Sequence, residues 1–85
     1  MKILITYLGR SYQHAEALPE QIDLDPGATI ADAVRAVDSL LAETELPGTC
    51  LVTVSGEHMG SVASFTDRPL REGEELVLIA PVAGG

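Results

Sequence analysis

Two short aliphatic runs, Ile3-Leu4-Ile5 and Leu76-Val77-Leu78-Ile79, stand near opposite ends of this chain. Only one stretch between them has helical periodicity. Strands that are apolar on both faces belong inside a sheet, where both faces are covered or flanked by neighbours. The parts of the sequence that are furthest apart are therefore expected side by side in the middle of one sheet, with a single helix to cover it.

The intervening residues fit that frame. Lys2 to Leu8 reads as the first strand, with Ile3, Ile5 and Tyr7 on one face and Leu4, Thr6 and Leu8 on the other. Gly9-Arg10-Ser11 reads as a turn. A second strand falls between Ala17 and Leu24, centred on Gln21 to Leu24, and the nearby Pro19 suggests an edge position because proline has no backbone donor. Asp25-Pro26-Gly27 is a strong turn signal. Thr29 is a helix cap, and Asp32 completes a variant of the capping box. Ile30, Ala33, Val34, Val37, Leu40 and Leu41 then recur at helical spacing, while Asp32, Arg35, Ser39 and Glu43 fall mainly on the other side. The expected helix runs from about Ile30 to Glu43, ended by Leu46-Pro47-Gly48.

Cys50 to Ser55 alternates as a third strand, Gly56-Glu57 reads as a turn, and Ser61 to Phe65 as a short fourth strand. Thr66 to Leu70 reads as a loop or single helical turn that drops Leu70 into the core. Arg71-Glu72-Gly73-Glu74 is a further turn, and Glu75 to Ala80 the last strand. With the two apolar strands paired centrally, this order gives an α+β roll of the β-grasp (ubiquitin-like) type. The expected sheet is mixed, of four to five strands, with one main helix packed across it. A ferredoxin-like split needs a second helix, and the sequence offers none. The expected organisation is a domain at 1–80 and a flexible glycine tail at 81–85.

Eighty-five residues support one modest core rather than two. At 46% apolar, the chain is too hydrophobic for a disordered tail. No apolar stretch approaches the roughly 20 residues that span a bilayer, and Met1 to Ile5 does not open a secretory signal. The expected location is cytoplasmic. The lone Cys50 excludes an internal disulfide and fits a reducing compartment. Thirteen acidic residues against five basic ones give a formal net charge of −8. That argues against nucleic acid, which is bound through clustered Lys and Arg, and favours encounter with a basic partner surface.

Self-contained catalysis finds little support. There is no nucleophile elbow, no phosphate-binding loop and no metal-spaced His or Cys cluster. Gly56 and Gly60 bracket Glu57, His58 and Met59 without a following lysine or helix start, which describes a hairpin turn. His14 and His58 are lone surface histidines on this reading. Cys50 reads as a small buried apolar residue, since a nucleophile needs a nearby base and an electropositive setting. Glu43 with Glu45, and Glu72 with Glu74 and Glu75, read as solvated ends and turns. No catalytic residue and no metal site are expected.

The C-terminal end remains. Asp67-Arg68-Pro69-Leu70-Arg71-Glu72-Gly73-Glu74-Glu75, followed by Pro81-Val82-Ala83-Gly84-Gly85, resembles the MoaD/ThiS family of bacterial ubiquitin-like sulfur carriers. Members share a D-x-x-L-x-x-G-D/E-E-V loop before the last strand and end in Gly-Gly. Val54-Ser55-Gly56-Glu57 also resembles their V-N-G-E turn. Pro81-Val82-Ala83-Gly84-Gly85 and the chain length are most like the small subunit of molybdopterin synthase. Three departures are Ala80 in place of the first of two usual prolines, Ser11-Tyr12 where many members carry Arg-Glu, and Ser55 for Asn.

The resemblance implies a role. A ubiquitin-activating-type adenylyltransferase, using ATP and magnesium, joins the Gly85 carboxylate to AMP. A sulfur donor such as a cysteine desulfurase or rhodanese then leads to a thiocarboxylate at Gly85. Pro81, Val82, Ala83 and Gly84 enter the partner's active site. In molybdopterin synthesis the acceptor side is a large synthase subunit, in a hetero-tetramer with the carrier. The carrier itself binds no cofactor, and neither nucleic acid nor membrane is involved. Family members dock through the tail and a neighbouring apolar patch on the sheet; Leu78 and Leu8 are candidates for that patch, with core packing the equal alternative for either. Thiamin thiazole synthesis, tRNA thiolation or another sulfur pathway is the alternative. Two other classes stay open: a modifier joined to target lysines, and a plain β-grasp interaction module.

Overall fold

In a computed structural model of the protein, the described residues are 1–9, 18–41 and 48–80. They form β1 (Lys2–Leu8), β2 (Gln21–Asp23), α1 (Ile30–Leu40), β3 (Leu51–Val54), β4 (Glu57–Ser61), β5 (Ser64–Phe65) and β6 (Glu75–Ile79). The strands make one sheet in the order β2-β1-β6-β3-β4-β5. β1 and β6 pair in parallel, from Leu4 opposite Glu75 to Leu8 opposite Ile79. All other pairings are antiparallel. The two apolar runs thus meet inside the sheet, and the edge position expected for the Gln21 strand is observed. Among the described residues, a mixed sheet with one helix is the expected β-grasp arrangement. Among the described residues no helix is long and apolar enough to cross a membrane.

The described sheet has six strands, more than the four to five expected. Ser55-Gly56 makes the turn, Glu57–Ser61 pairs back on β3, and Ser64–Phe65 pairs on β4. Glu57 and His58 are exposed and only Met59 turns inward, so no apolar alternation marks this strand in the sequence.

One face of the sheet carries the core. Ile3, Ile5, Val52, Val54, Leu76 and Leu78 meet Ile30, Ala33, Val34 and Val37 of α1, joined by Leu41, Cys50, Met59 and Leu70. Leu40 departs from the expected helix face: it lies at the margin of the apolar stripe and is 45% exposed. α1 ends at Leu40 with Leu41 as its C-cap, short of the expected end near Glu43; Glu43 itself and Leu46-Pro47 lie outside the described residues.

The loop before β6 stitches the fold together. Four amide N–H groups at a helix start lack intrahelical partners, and here three are supplied from nearby. The Ile30 amide donates to the Arg68 carbonyl at 2.9 Å, Ala31 to Asp67 Oδ1 at 3.0 Å, and Asp32 to Thr29 Oγ1 at 3.3 Å. The Thr29 amide donates back to Asp32 Oδ2 at 2.9 Å, completing the expected capping box and holding the Asp32 carboxyl below its ordinary range. Leu70, its amide bonded to the Ala28 carbonyl at 2.8 Å, is buried in the core as expected.

The next turn is tied to β1. Gly73, at φ +83°, donates its amide to the Lys2 carbonyl at 2.8 Å, and the Lys2 amide donates to the Glu72 carboxylate. Glu74 is half-buried rather than a solvated turn residue. Its carboxylate accepts from both Arg68 guanidinium nitrogens at 2.9 and 3.1 Å, from the Arg71 amide at 2.9 Å and from the Ser55 hydroxyl at 3.4 Å. Arg68, foremost among these, pulls the Glu74 carboxyl below its ordinary value of 4.5. A lowered folded-state value means stabilisation that is complete above the unfolded value and lost as pH falls through the folded one. Glu74→Gln is expected to cost about 1 kcal/mol at pH 7, discounted for the partly exposed Arg68. That corresponds to roughly 4–8 °C in Tm. The difference from the parent should close on acidification below pH 4.5, which melting curves across that range will check.

Candidate functional site

The face of the sheet opposite α1 is where the chain offers contact surface. Strand alternation points Leu4, Thr6 and Leu8 outward from β1, Val77 and Ile79 from β6, and Leu51 and Thr53 from β3. The register sets Leu8 opposite Ile79 and Ile79 opposite Leu51, so these three form one apolar row across three strands. Leu8 is 50% and Leu51 39% exposed. Behind it, Thr6, Val77 and Thr53 make a second row. Leu78, the other candidate for a patch, takes the alternative reading and is fully buried in the core. The residues that sequence reasoning missed are Ile79 and Leu51; only the cross-strand register brings them to Leu8.

This row lies at the end of β6 from which the chain continues to the predicted site. The Ala80 amide donates to the Leu8 carbonyl at 2.8 Å, so pairing runs one residue beyond the strand. Gly9, at φ +147°, packs against Ala80: a Cβ built on Gly9 would lie 2.6 Å from the Ala80 Cβ. Pro81, Val82, Ala83, Gly84 and Gly85 lie outside the described residues, as does His14. The carboxylates of Asp23, Glu72 and Glu74 belong to the other end of the strands, around Lys2 and Leu4, while that of Glu75 reaches forward to accept from the Thr6 hydroxyl at 3.1 Å. The apolar row is thus set apart from that part of the chain's negative charge.

Other candidate chemistry does not gather here. Cys50 is fully buried on the core side, and burial raises its thiol above the ordinary range against a smaller opposing effect of the Ile79 backbone. Burial, and then neighbouring Cys50, also raise the Tyr7 phenol. A maleimide reagent is expected to leave Cys50 unmodified in the folded protein and to label it on denaturation, as read by intact mass. His58 is exposed on β4. The hollow lined by Glu57, Arg68, Pro69, Arg71 and Glu74 has its central charges engaged with each other. No three His, Cys, Asp or Glu side chains among the described residues are grouped to hold a metal ion.

The sheet thus pairs the first and last described strands, with the apolar row bordering the end of β6. The sequence model of the ThiS family matches residues 5–85. This chain belongs to the ThiS family. ThiS family proteins are ubiquitin-like sulfur carriers rather than catalysts, and membership implies two general kinds of partner, an activating enzyme and a synthase. An uncharacterised protein from Archaeoglobus fulgidus is also similar, 29% identical over 92 aligned residues with the whole of both chains covered. The ThiS match spans β1 from Ile5, the loop at Asp67–Glu75 and the residues after Ala80. The loop by which the resemblance is read therefore has a structural explanation: Asp67 caps α1, Leu70 fills the core, Gly73 turns and Glu74 holds Arg68.

Proposed function

We propose that residues 1–80 form the folded body and 81–85 the working tail of a carrier that holds sulfur as a thiocarboxylate at Gly85, for molybdopterin synthesis. The observation that carries this reading is a ThiS match that continues through residue 85. Pro81-Val82-Ala83-Gly84-Gly85 supports the molybdopterin assignment in particular. The chemistry is partitioned between proteins. A carboxylate is a poor acyl electrophile, so an activating partner uses ATP and magnesium to form the Gly85 acyl-adenylate with release of pyrophosphate. A sulfur nucleophile, hydrosulfide or a persulfide whose S–S bond a thiol later cleaves, displaces AMP. The large synthase subunit then receives the sulfur-charged tail.

The carrier's part is geometric. Gly84 and Gly85 lack Cβ atoms, which lets the backbone enter a narrow channel. Pro81 stiffens the base of the tail and lowers the ordering cost of insertion. Five residues after Ala80 reach about 16 Å at full extension. A partner that acts on Gly85 must therefore come down over the end of β6, onto Leu8, Ile79 and Leu51. The net charge of −8 suits a partner whose surrounding surface is basic.

The test is intact mass spectrometry after incubation with an activating enzyme, ATP, magnesium and a sulfur donor. A mass gain equal to exchange of one oxygen for sulfur supports the carrier. Larger adducts on other proteins would indicate a lysine modifier, and an unchanged mass with a competent enzyme would remove the proposal. Rescue of a strain lacking the molybdopterin synthase small subunit, but not of one lacking a thiazole carrier, checks the pathway.

A further inference from the structure

We propose that Gly9 is a positioning residue for sulfur loading: it sets the direction in which the chain leaves the sheet at Ala80. The inference rests on the carrier reading above and adds to it a residue 76 positions away in sequence from Gly85.

Three constraints converge on Ala80. Its amide is bonded to the Leu8 carbonyl at 2.8 Å. The proline that follows disfavours helical backbone at Ala80 and keeps it extended. The third is Gly9. A Cβ there would meet the Ala80 Cβ at 2.6 Å, with the Ala80 Cα and N at 3.5 Å. A methyl group has no side-chain torsion by which to swing aside, so relief of that overlap has to move the Ala80 backbone itself. The positive φ of Gly9 adds strain for any other residue. One methyl fits in the space between the ends of β1 and β6, and it belongs to Ala80.

The position gives this packing a functional consequence. Ala80 is the residue from which the tail starts, so a turn of its backbone redirects that start. A tail whose reach is about 16 Å only at full extension has little slack, when fully drawn out in a partner, to offset a start turned by about 10°, a shift of up to about 3 Å at its end. Misplacement of a reacting group by 1 Å costs up to about 100-fold in rate. Gly9 makes no contact with the reacting carboxylate in this account. It acts through Ala80.

The experiment compares Gly9→Ala, Ala80→Gly and the double variant with the parent chain. Sulfur loading by the activating enzyme is followed by intact mass, and hydrogen exchange of the Ala80 amide by NMR. Gly9→Ala is expected to slow loading by about tenfold or more at saturating enzyme and to lose protection at the Ala80 amide, while the amides of Leu76 and Leu78 keep theirs. Ala80→Gly in the Gly9→Ala background removes the methyl overlap and should restore most of the loading rate; the strain at position 9 is common to both chains and cancels from that comparison. Normal Ala80 protection in Gly9→Ala overturns the inference even if the parent chain loads well. So does a loading defect that matches the unfolded fraction, or one that Ala80→Gly fails to relieve. A parent chain that never loads defeats the carrier reading instead. The exchange data then judge the Gly9–Ala80 coupling, and the assignment to sulfur loading falls with that reading.

Discussion

A chain shortened by Gly84 and Gly85 should gain no sulfur at all and yet melt where the full-length chain does. Both halves of that result follow from where the interactions stop. The core side chains run from Ile3 to Leu78, and the last backbone bond on the C-terminal side among the described residues is Ala80 to Leu8. Removing two residues beyond that point leaves every one of these contacts in place, so the change in stability should stay within the ±0.5 kcal/mol or so typical of surface changes. The reacting carboxylate, in contrast, is displaced from the end of a tail whose full reach is about 16 Å. Intact mass after incubation with the activating enzyme, together with thermal melting of the same sample, reads both quantities. A shortened chain that unfolds early would make the tail structural and contradict the division into body and tail.

Leu78→Ala and Leu8→Asp should produce opposite phenotypes, although the two residues come from neighbouring strands one register apart. Leu78 is fully buried beneath α1 in the middle of the sheet. Truncating a buried leucine costs about 2–5 kcal/mol, because transfer energy is lost and a cavity remains. For a domain whose total stability is on the order of 5–15 kcal/mol, that is a drop of roughly 8–40 °C in Tm. Leu8 is half exposed and sits on the other face. A carboxylate there stays hydrated in the free chain and should leave Tm nearly unchanged. In a complex it would be buried against apolar surface without a partner, weakening binding of the activating enzyme by about tenfold or more. Melting curves and titration calorimetry on the two variants check the pair. Equal binding by Leu8→Asp would remove the Leu8–Ile79–Leu51 row from the docking surface.

The contrast between Leu8 and Leu78 also shows what the sequence makes legible and what it conceals. The central pairing of Ile3-Leu4-Ile5 with Leu76 to Ile79 follows from two-sided hydrophobicity, and the helix start follows from Thr29 and Asp32. Those signals are local and chemical. A continuous run such as Leu76-Val77-Leu78-Ile79 has no alternation, so it announces a strand without saying which residues face the core. Only the register against Leu8 and Leu51 turns Ile79 outward and Leu78 inward. Glu57–Ser61 carries no strand signal in the sequence because it gives the core a single side chain, Met59. Glu74 reads as a solvated turn residue in the sequence because its partner Arg68 is held by the fold, six residues away across a loop. The tail residues Pro81 to Gly85 were legible as a motif, and their role stays a matter for the loading experiment.

The parallel pairing of β1 with β6 has a consequence for what a partner can detect. Leu8 belongs to the opening segment of the chain, Leu51 to the middle and Ile79 to the closing one, and they are contiguous only when all three strands have joined. A fragment that stops short of β6, or an unfolded chain, has no such row to present. An enzyme that reads the row and the tail together would therefore spend ATP on intact, folded carriers alone. A recognition surface built from that row would double as a certificate that the three strands are joined.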